Sequence, residues 1–426
     1  MIVLDSREPD LAVTGNLQPL ALRTWAAREG LEAICSREGE RLVVTSSGSE
    51  GCFGGWDIVL GGVQGGRWYR VGLNWLAERL ASVLDGMPIF VLWTDEEDER
   101  LDYDYLIVHE PEGCGGRAER VLQAPPKATR AVLRFGLRWT PIGSAAFFGP
   151  AADVVEAPAP RWARIAVASG NPESPASVAD NVAFFSDLVR EAADCKPDLV
   201  LMPEVITSWG VPGSTVDNAE PIPGASTEAF AAVARECGTM LAFSMAERDG
   251  DLVYNTEVVM ARDGSIIGTY RKVHLAILEG WEGVTPGSEL PVLDTPLGRV
   301  AVTICKDSSI LDASRVPAVR GAEIMLLSIM GDHRAVDWRR TPSWWSSDRW
   351  RVIMRARAIE NHMWVVVARN NSEGSCIVAP SGDILAWNGG GQRVIWADCN
   401  LGERLRTWRG SSFADSTWAE RRPHLY

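Results

Sequence analysis

The chain has little that would build a metal centre, a disulfide framework or a nucleic-acid surface. Its eight cysteines, Cys35, Cys52, Cys114, Cys195, Cys237, Cys305, Cys376 and Cys399, contain no C-x-x-C pair, so neither zinc spacing nor a stapled secreted scaffold is expected. The five histidines are dispersed over 426 residues, and no metal or other cofactor is expected. Basic residues cluster only in pairs such as Arg271-Lys272 and Arg339-Arg340, against a net charge of −14. That balance argues against nucleic acid as a partner, because phosphate binding needs a basic stripe. No stretch of about twenty apolar residues occurs. The opening Met-Ile-Val-Leu-Asp-Ser-Arg-Glu lacks the basic region and apolar core of a signal peptide. The reading is therefore a cytoplasmic protein without a membrane partner.

What is present is a pattern of apolar runs that stop abruptly at reactive side chains. Arg299-Val-Ala-Val-Thr-Ile-Cys305 ends in a thiol and turns polar at once with Lys306-Asp307-Ser308-Ser309. The β-branched run suits a buried strand, and Asp307, Ser308 and Ser309 are helix-starting types. Cys305 would then sit at a strand-to-helix elbow, where free N–H groups and the helix dipole favour the thiolate. A single cysteine is more often an inert core residue, so its company decides. Asp198-Leu-Val-Leu-Met-Pro203-Glu204 ends in a carboxylate, and Gly264 to Lys272 ends in a basic cluster. Reactive groups in α/β sheets gather at strand carboxyl ends. A carboxylate, an ammonium and a thiol there form a set for acyl transfer: base, oxyanion stabiliser and nucleophile.

Three segments, Pro203-Glu204, Tyr270-Arg-Lys272-Val-His274-Leu275 and Ile304-Cys305-Lys306-Asp307, resemble the signature segments of the nitrilase superfamily, the carbon–nitrogen hydrolases with a Glu-Lys-Cys triad. Pro223-Gly224, Tyr254-Asn255-Thr256, Pro286-Gly287, Arg355 to Asn361 and Pro380-Ser-Gly-Asp383 fall in the same family order, and the resemblance covers roughly Arg161 to Asn400. It implies an α-β-β-α sandwich, no cofactor, and a triad of Cys305 as nucleophile, Glu204 as general base and acid, and Lys272 with the backbone N–H of Lys306 at the oxyanion. It also implies a second acid between the lysine and Pro286-Gly287. Glu282 in Trp281-Glu282-Gly283 is preferred over Glu279. Lys306-Asp307 stands where nitrile-hydrolysing members commonly carry Trp-Glu, which favours an amide substrate. Ala276-Ile277 replaces a Pro-Gly of carbamoylase-like members, which weakens an N-carbamoyl reading, although nitrilase and carbamoylase activities stay open.

A rival assignment pairs Cys305 with His274 or His362 in a papain-like mechanism. His274 follows Lys272 by two residues in a probable strand and only one of them is expected to face Cys305; the family pattern selects Lys272, and His274 becomes a buried structural residue. The substrate pocket is expected to include Trp281 and Asp307. Residues 330–350 read as a lid or as a subunit contact, with Trp344 and Trp345 over an apolar acyl group and Asp332, His333 or Arg334 reading a polar end.

The first 149 residues have a different texture. Short alternating runs such as Arg41-Leu-Val-Val-Thr45, Trp56 to Leu60, Pro88 to Trp93, Tyr105 to His109 and Thr129 to Trp139 are separated by Gly-rich or acidic turns, which predicts an all-β, jelly-roll-like sandwich. Trp56, Trp68, Trp75, Trp93 and Trp139 supply either a sugar-stacking platform or, with more weight, core and interface area. The Pro/Ala-rich passage 150–160 is expected as a linker. Residues 161–426 form the hydrolase domain, opening with a strand from Trp162 and a capped helix from Ser177, whose Val178, Val182, Phe185, Val189 and Ala192 repeat at helical spacing. The expected partners are a small-molecule amide, further copies of the chain in a homodimer or larger homo-oligomer, and a carbohydrate or neighbouring subunit at the N-terminal domain. A reading of another class is a non-catalytic glycan- or protein-binding scaffold.

Overall fold

The structure is a computed structural model that describes residues 2–7, 11–330, 346–370, 373–407 and 410–422. The chain divides into two compact units, one formed by Met1–Ala159 with Arg404–Tyr426 and the other by Pro160–Glu403.

The first unit is almost all strand. One sheet orders Ile2–Arg7, Gln18–Ala26, Phe53–Gly61, Arg130–Arg138, Ile89–Thr94 and Arg100–Tyr105; the other carries Gly115–Gln123, Trp68–Glu78, Ser144–Val155, Arg41–Thr45 and Ile34–Glu38. Both sheets feed one core, in which Leu22, Ile58, Val91 and Leu133 of the first meet Leu42, Val71, Leu73 and Phe147 of the second. Trp56, Trp75 and Trp93 lie in that core, so they form no sugar platform. Residues 150–155, expected as linker, continue the strand Ser144–Val155 and pair with Trp68–Glu78, Ala152 opposite Val71 and Val155 opposite Trp68. The run from Tyr105 to His109 is no strand, since the ladder there ends at Tyr105. Residues 404–422, expected with the hydrolase domain, also belong to this unit. Arg406 binds Asp102 at 2.7 Å, Arg120 binds Asp415 at 2.7 Å, and Ala419 is buried beside Leu84 and Tyr105.

The second unit has two six-stranded sheets. The strands are β1 (Trp162–Ala168), β2 (Leu199–Leu201), β3 (Met240–Asp249), β4 (Leu252–Met260), β5 (Ile266–Arg271), β6 (Val292–Thr295), β7 (Gly298–Ile304), β8 (Ile324–Ile329), β9 (Trp364–Arg369), β10 (Cys376–Val378), β11 (Ile384–Trp387) and β12 (Val394–Asn400). The helices are α1 (Val178–Ala193), α2 (Ala225–Cys237), α3 (Leu311–Val319) and α4 (Ser347–Asn361). One sheet runs β5-β4-β3-β2-β1-β12 and the other β6-β7-β8-β9-β10-β11, with parallel pairs only among β1-β2-β3 and β7-β8-β9.

Alternate residues of these central strands point to two different cores. Ile165, Leu199, Leu201 and Ala242 meet Val300, Val302, Leu326 and Val366 between the sheets. On the other face Ala166, Val200, Leu241 and Phe243 bury Phe185, Leu188, Val189, Phe230 and Val233 of α1 and α2. Burial on both faces explains why the central strands read as continuous apolar runs. With α3 and α4 contacting β7 and β9, the layers are α-β-β-α. The helix from Ser177 forms as expected: the Ser177 hydroxyl accepts from the Asp180 amide, and the Asp180 carboxylate accepts from the Ser177 amide. Among the described residues no helix is long and apolar enough to cross a membrane.

Candidate active site

The reactive residues are all delivered by strand ends that meet between the two sheets. Glu204 follows β2 by three residues, Lys272 directly follows β5, and Cys305 directly follows β7. The neighbouring end of β8 presents the Met330 amide, which donates to Glu204 Oε2 at 2.7 Å. Glu204 Oε1 accepts from Lys272 Nζ at 2.6 Å and from Asn255 Nδ2 at 2.8 Å. Glu204 and Lys272 are 3% and 1% exposed. A buried pair holds together only when hydrogen bonds satisfy the remaining donors and acceptors, and the surroundings supply them.

The acid that completes the pair is Glu279, not Glu282. Lys272 Nζ donates to Glu279 Oε2 at 2.7 Å, and Asn255 Nδ2 donates to Glu279 Oε1 at 2.9 Å. The Ala276 amide donates to Glu279 Oε2 at 2.7 Å and fixes that carboxylate at the start of the helical turn Ile277–Trp281. Glu282 caps the other end of the turn and faces solvent. The two glutamates are three residues apart, a spacing that does not separate them by helical face. The capping contact decides which one turns inward.

Asn255 holds both carboxylates, and its own Oδ1 accepts from Ser244 Oγ at 2.6 Å. Neither Asn255 nor Ser244 was singled out as a site residue. The signal for Asn255 lay in the alternation of β4, where Asn255 and Glu257 share a face with the core residue Val259. Polar groups on an inward strand face need partners.

Cys305 sits in the left-handed backbone region with φ of +43°, a conformation that costs a non-glycine residue about 1 kcal/mol or more. It opens a 3-10 turn, Cys305–Ser309, and α3 starts only after Ile310. The helix expected behind the thiol thus begins as a 3-10 turn, and its α-helical part follows only from Leu311. Burial pushes the thiol up from its ordinary value, the Glu204 carboxylate adds to this, and Lys272 opposes it. Burial therefore works against the expected thiolate, and the sulfur lies 3.9 Å from the Met330 carbonyl oxygen. Lys272 behaves oppositely: burial disfavours its charge, but the Glu204 and Glu279 carboxylates outweigh that and hold it protonated.

Asp307, expected in the substrate pocket, is 1% exposed and fully engaged. It accepts from Tyr270 Oη at 2.7 Å, the Ile304 amide at 2.9 Å, the His274 amide at 3.2 Å and His274 Nδ1 at 2.7 Å. It pins the cysteine turn to the chain leaving Lys272. His274 is half-buried and serves this clasp. Trp281 is 76% exposed and touches none of the triad through a hydrogen bond. The Lys306 side chain points to solvent, while its amide lies in the first turn after Cys305, where amides have no intrahelical acceptor. Asp332, His333, Arg334, Trp344 and Trp345 lie outside the described residues.

Comparison with known proteins agrees with this geometry. The family model for carbon-nitrogen hydrolase matches residues 164–409. The chain is 29% identical over 241 residues to omega-amidase NIT2 of Danio rerio and 30% identical over 240 residues to omega-amidase NIT2-B of Xenopus laevis; each match spans 52% of this chain and 83% of the relative. Among solved structures it resembles the Caenorhabditis elegans NitFhit protein, with TM-score 0.51 and 22% identity over 63% of this chain and 67% of that one. It also resembles a variant of the amidase from Nesterenkonia sp. AN1 that carries the acetamide moiety of fluoroacetamide on its active-site cysteine, with TM-score 0.50 and 21% identity over 64% of this chain and 98% of that one. The fold, the buried Glu-Lys-Cys cluster and a family match across more than half of the sequence agree, and the chain belongs to the carbon-nitrogen hydrolase family.

Proposed function

We propose that this protein hydrolyses a non-peptide carboxamide to a carboxylic acid and ammonia or an amine, through a thioester on Cys305. The observation that carries the reading is Lys272 Nζ clamped at 2.6 Å and 2.7 Å between Glu204 and Glu279, with Met330 joining its amide to the same Glu204 and its carbonyl oxygen to the Cys305 thiol. Because burial favours the protonated thiol, attack requires a base. Glu204 takes the proton as Sγ bonds to the carbonyl carbon. The developing oxyanion is stabilised by Lys272 and by the Lys306 amide. Collapse breaks the C–N bond while Glu204 returns the proton to the departing nitrogen. Water, deprotonated by Glu204, then attacks the thioester, and the carboxylic acid leaves as the thiol is restored. Glu279 keeps Lys272 charged and aimed.

The N-terminal unit reads as a β-sandwich accessory domain that contacts a carbohydrate or a neighbouring subunit. A groove of about 350 Å³ on its first sheet, lined by Trp25, Phe53, Phe90, Tyr103, Tyr105 and Arg134, supports that reading, since aromatic walls favour stacking. Exposed Leu311 on α3 with Val352 and Ile359 on α4 supports a homo-oligomer.

The test is ammonia release from aliphatic, aromatic and N-carbamoyl amides with matching nitriles, run beside Cys305→Ala. Release from amides that vanishes in the variant, with an acyl adduct on Cys305 by intact mass, is the expected result. Silence across the panel with no adduct would favour the scaffold reading. Lys272→Ala should lose about 10²-fold or more in kcat, while His274→Ala should lose less. Near-normal turnover in the lysine variant would remove Lys272 from the mechanism.

A further inference from the structure

Glu257 is a wholly buried carboxyl group in the middle of β4, and the steps above leave it without a task. Its Oε1 lies 2.8 Å from Ser328 Oγ. The same Ser328 Oγ lies 2.7 Å from the Met202 carbonyl oxygen. A hydroxyl has one proton and a carbonyl oxygen has none to give. The Ser328 proton therefore goes to Met202, and Ser328 must accept from Glu257. The contact is a hydrogen bond only if Glu257 carries the proton; as a carboxylate, it would set two lone pairs against each other at that distance. Its second oxygen, Oε2, has no partner among the described residues, an arrangement far less costly for a neutral carbonyl than for a buried charge.

The two ends of this chain of protons both lead to the base. Met202 is two residues before Glu204 on the segment leaving β2, and Ser328 is two residues before Met330, whose amide binds Glu204 Oε2 at 2.7 Å. Glu257 thus ties β4 to the β8 end that grips Glu204 and to the chain that delivers it. We infer that Glu257 is a positioning residue for Glu204 and is carried as a neutral carboxylic acid that donates through Ser328 to the Met202 carbonyl. Burial and the nearby Glu204 charge both push its acid strength in the direction this requires. A second ionised carboxylate here would also oppose the charge on Glu204, which Lys272 already shares with Glu279. The inference rests on Glu204 being the base of the proposed reaction.

Gln can donate to Ser328 Oγ as a carboxylic acid does, and Ala cannot. Glu257→Ala and Ser328→Ala should each lower kcat by at least about tenfold through misplacement of the base. Glu257→Gln should rescue the rate. Infrared difference spectra between the unmodified protein and Glu257→Gln should show the carbonyl band of a protonated carboxyl at neutral pH. The inference is overturned if Glu257→Gln is as impaired as Glu257→Ala, if the band is missing, or if the Ala variants lose only thermal stability. Ser328→Ala carries the test should Glu257→Ala not fold. Activity retained in Glu204→Gln would instead remove the base assignment, while the infrared result on Glu257 would stand on its own.

Discussion

Lys272 shows how much of this site is decided by single contacts. Its ammonium donates 2.6 Å and 2.7 Å bonds to two carboxylates and is nearly inaccessible, so each carboxylate carries charge balance as well as geometry. Removing one partner of a buried ion pair is costly because the other is left uncompensated. Glu279→Gln should lower kcat/KM by roughly 10²-fold, whereas Glu282→Gln, at an exposed turn end, should stay within about twofold. Ammonia-release kinetics on both variants checks this, and the reverse ranking would refute the assignment of Glu279. Residue identities at the triad were legible because Glu204, Lys272 and Cys305 each interrupt an apolar run. Glu279 was not, because two glutamates three apart present the same pattern. The choice depends on the Ala276 amide, whose direction no sequence pattern records.

At the scale of elements, the site depends on how strands are stopped. Gly287 donates its amide to the Lys272 carbonyl at 2.9 Å, and a Cβ there would lie 2.1 Å from the Arg271 carbonyl oxygen. The Pro286-Gly287 motif is thus a close approach of two backbones that sets the end of β5. Gly287→Ala must displace Arg271 and Lys272, costing about 1–3 kcal/mol and at least about tenfold in kcat. Ser177→Ala removes the cap of α1, where Ser177 bonds Asp180 rather than a member of the triad, and should cost about 1 kcal/mol with kcat unchanged. Thermal unfolding and turnover measured on both variants would separate them, and equal effects on turnover would contradict the role given to Gly287. The cap of α1 was readable from Ser177 and Asp180, because a cap is local. The start of α3 was not: Asp307 turns inward to Tyr270 and His274, contacts about thirty-five residues distant, instead of opening the helix.

Across the whole molecule, the scattered cysteines matter as buried thiols. Burial pushes Cys376 and Cys399 up from 9.0 to about 12 each, with Asp398 adding to the effect at Cys399. Above about pH 9 the unfolded chain gives up these protons while the folded protein keeps them, so stability is lost as pH rises through that window. The slope is up to about 1.4 kcal/mol per pH unit for each thiol. Denaturant unfolding at pH 8, 9 and 10.5 should show this fall. Cys376→Ala and Cys399→Ala should each flatten it, and an unchanged slope in both would contradict the assignment.

The sequence by itself determined the α/β class of the second unit, the strand character of the first, and the three reactive positions, because periodicity and abrupt polarity changes are local properties of a chain. Only the tertiary structure decided which glutamate meets Lys272, that burial works against a thiolate at Cys305, and that residues 404–422 belong with strands 300 residues earlier. Each of these depends on which groups are brought together in a buried, weakly polar interior. There, one amide direction selects which carboxylate turns inward, and pairings such as Arg406 with Asp102 leave no mark on either stretch of sequence.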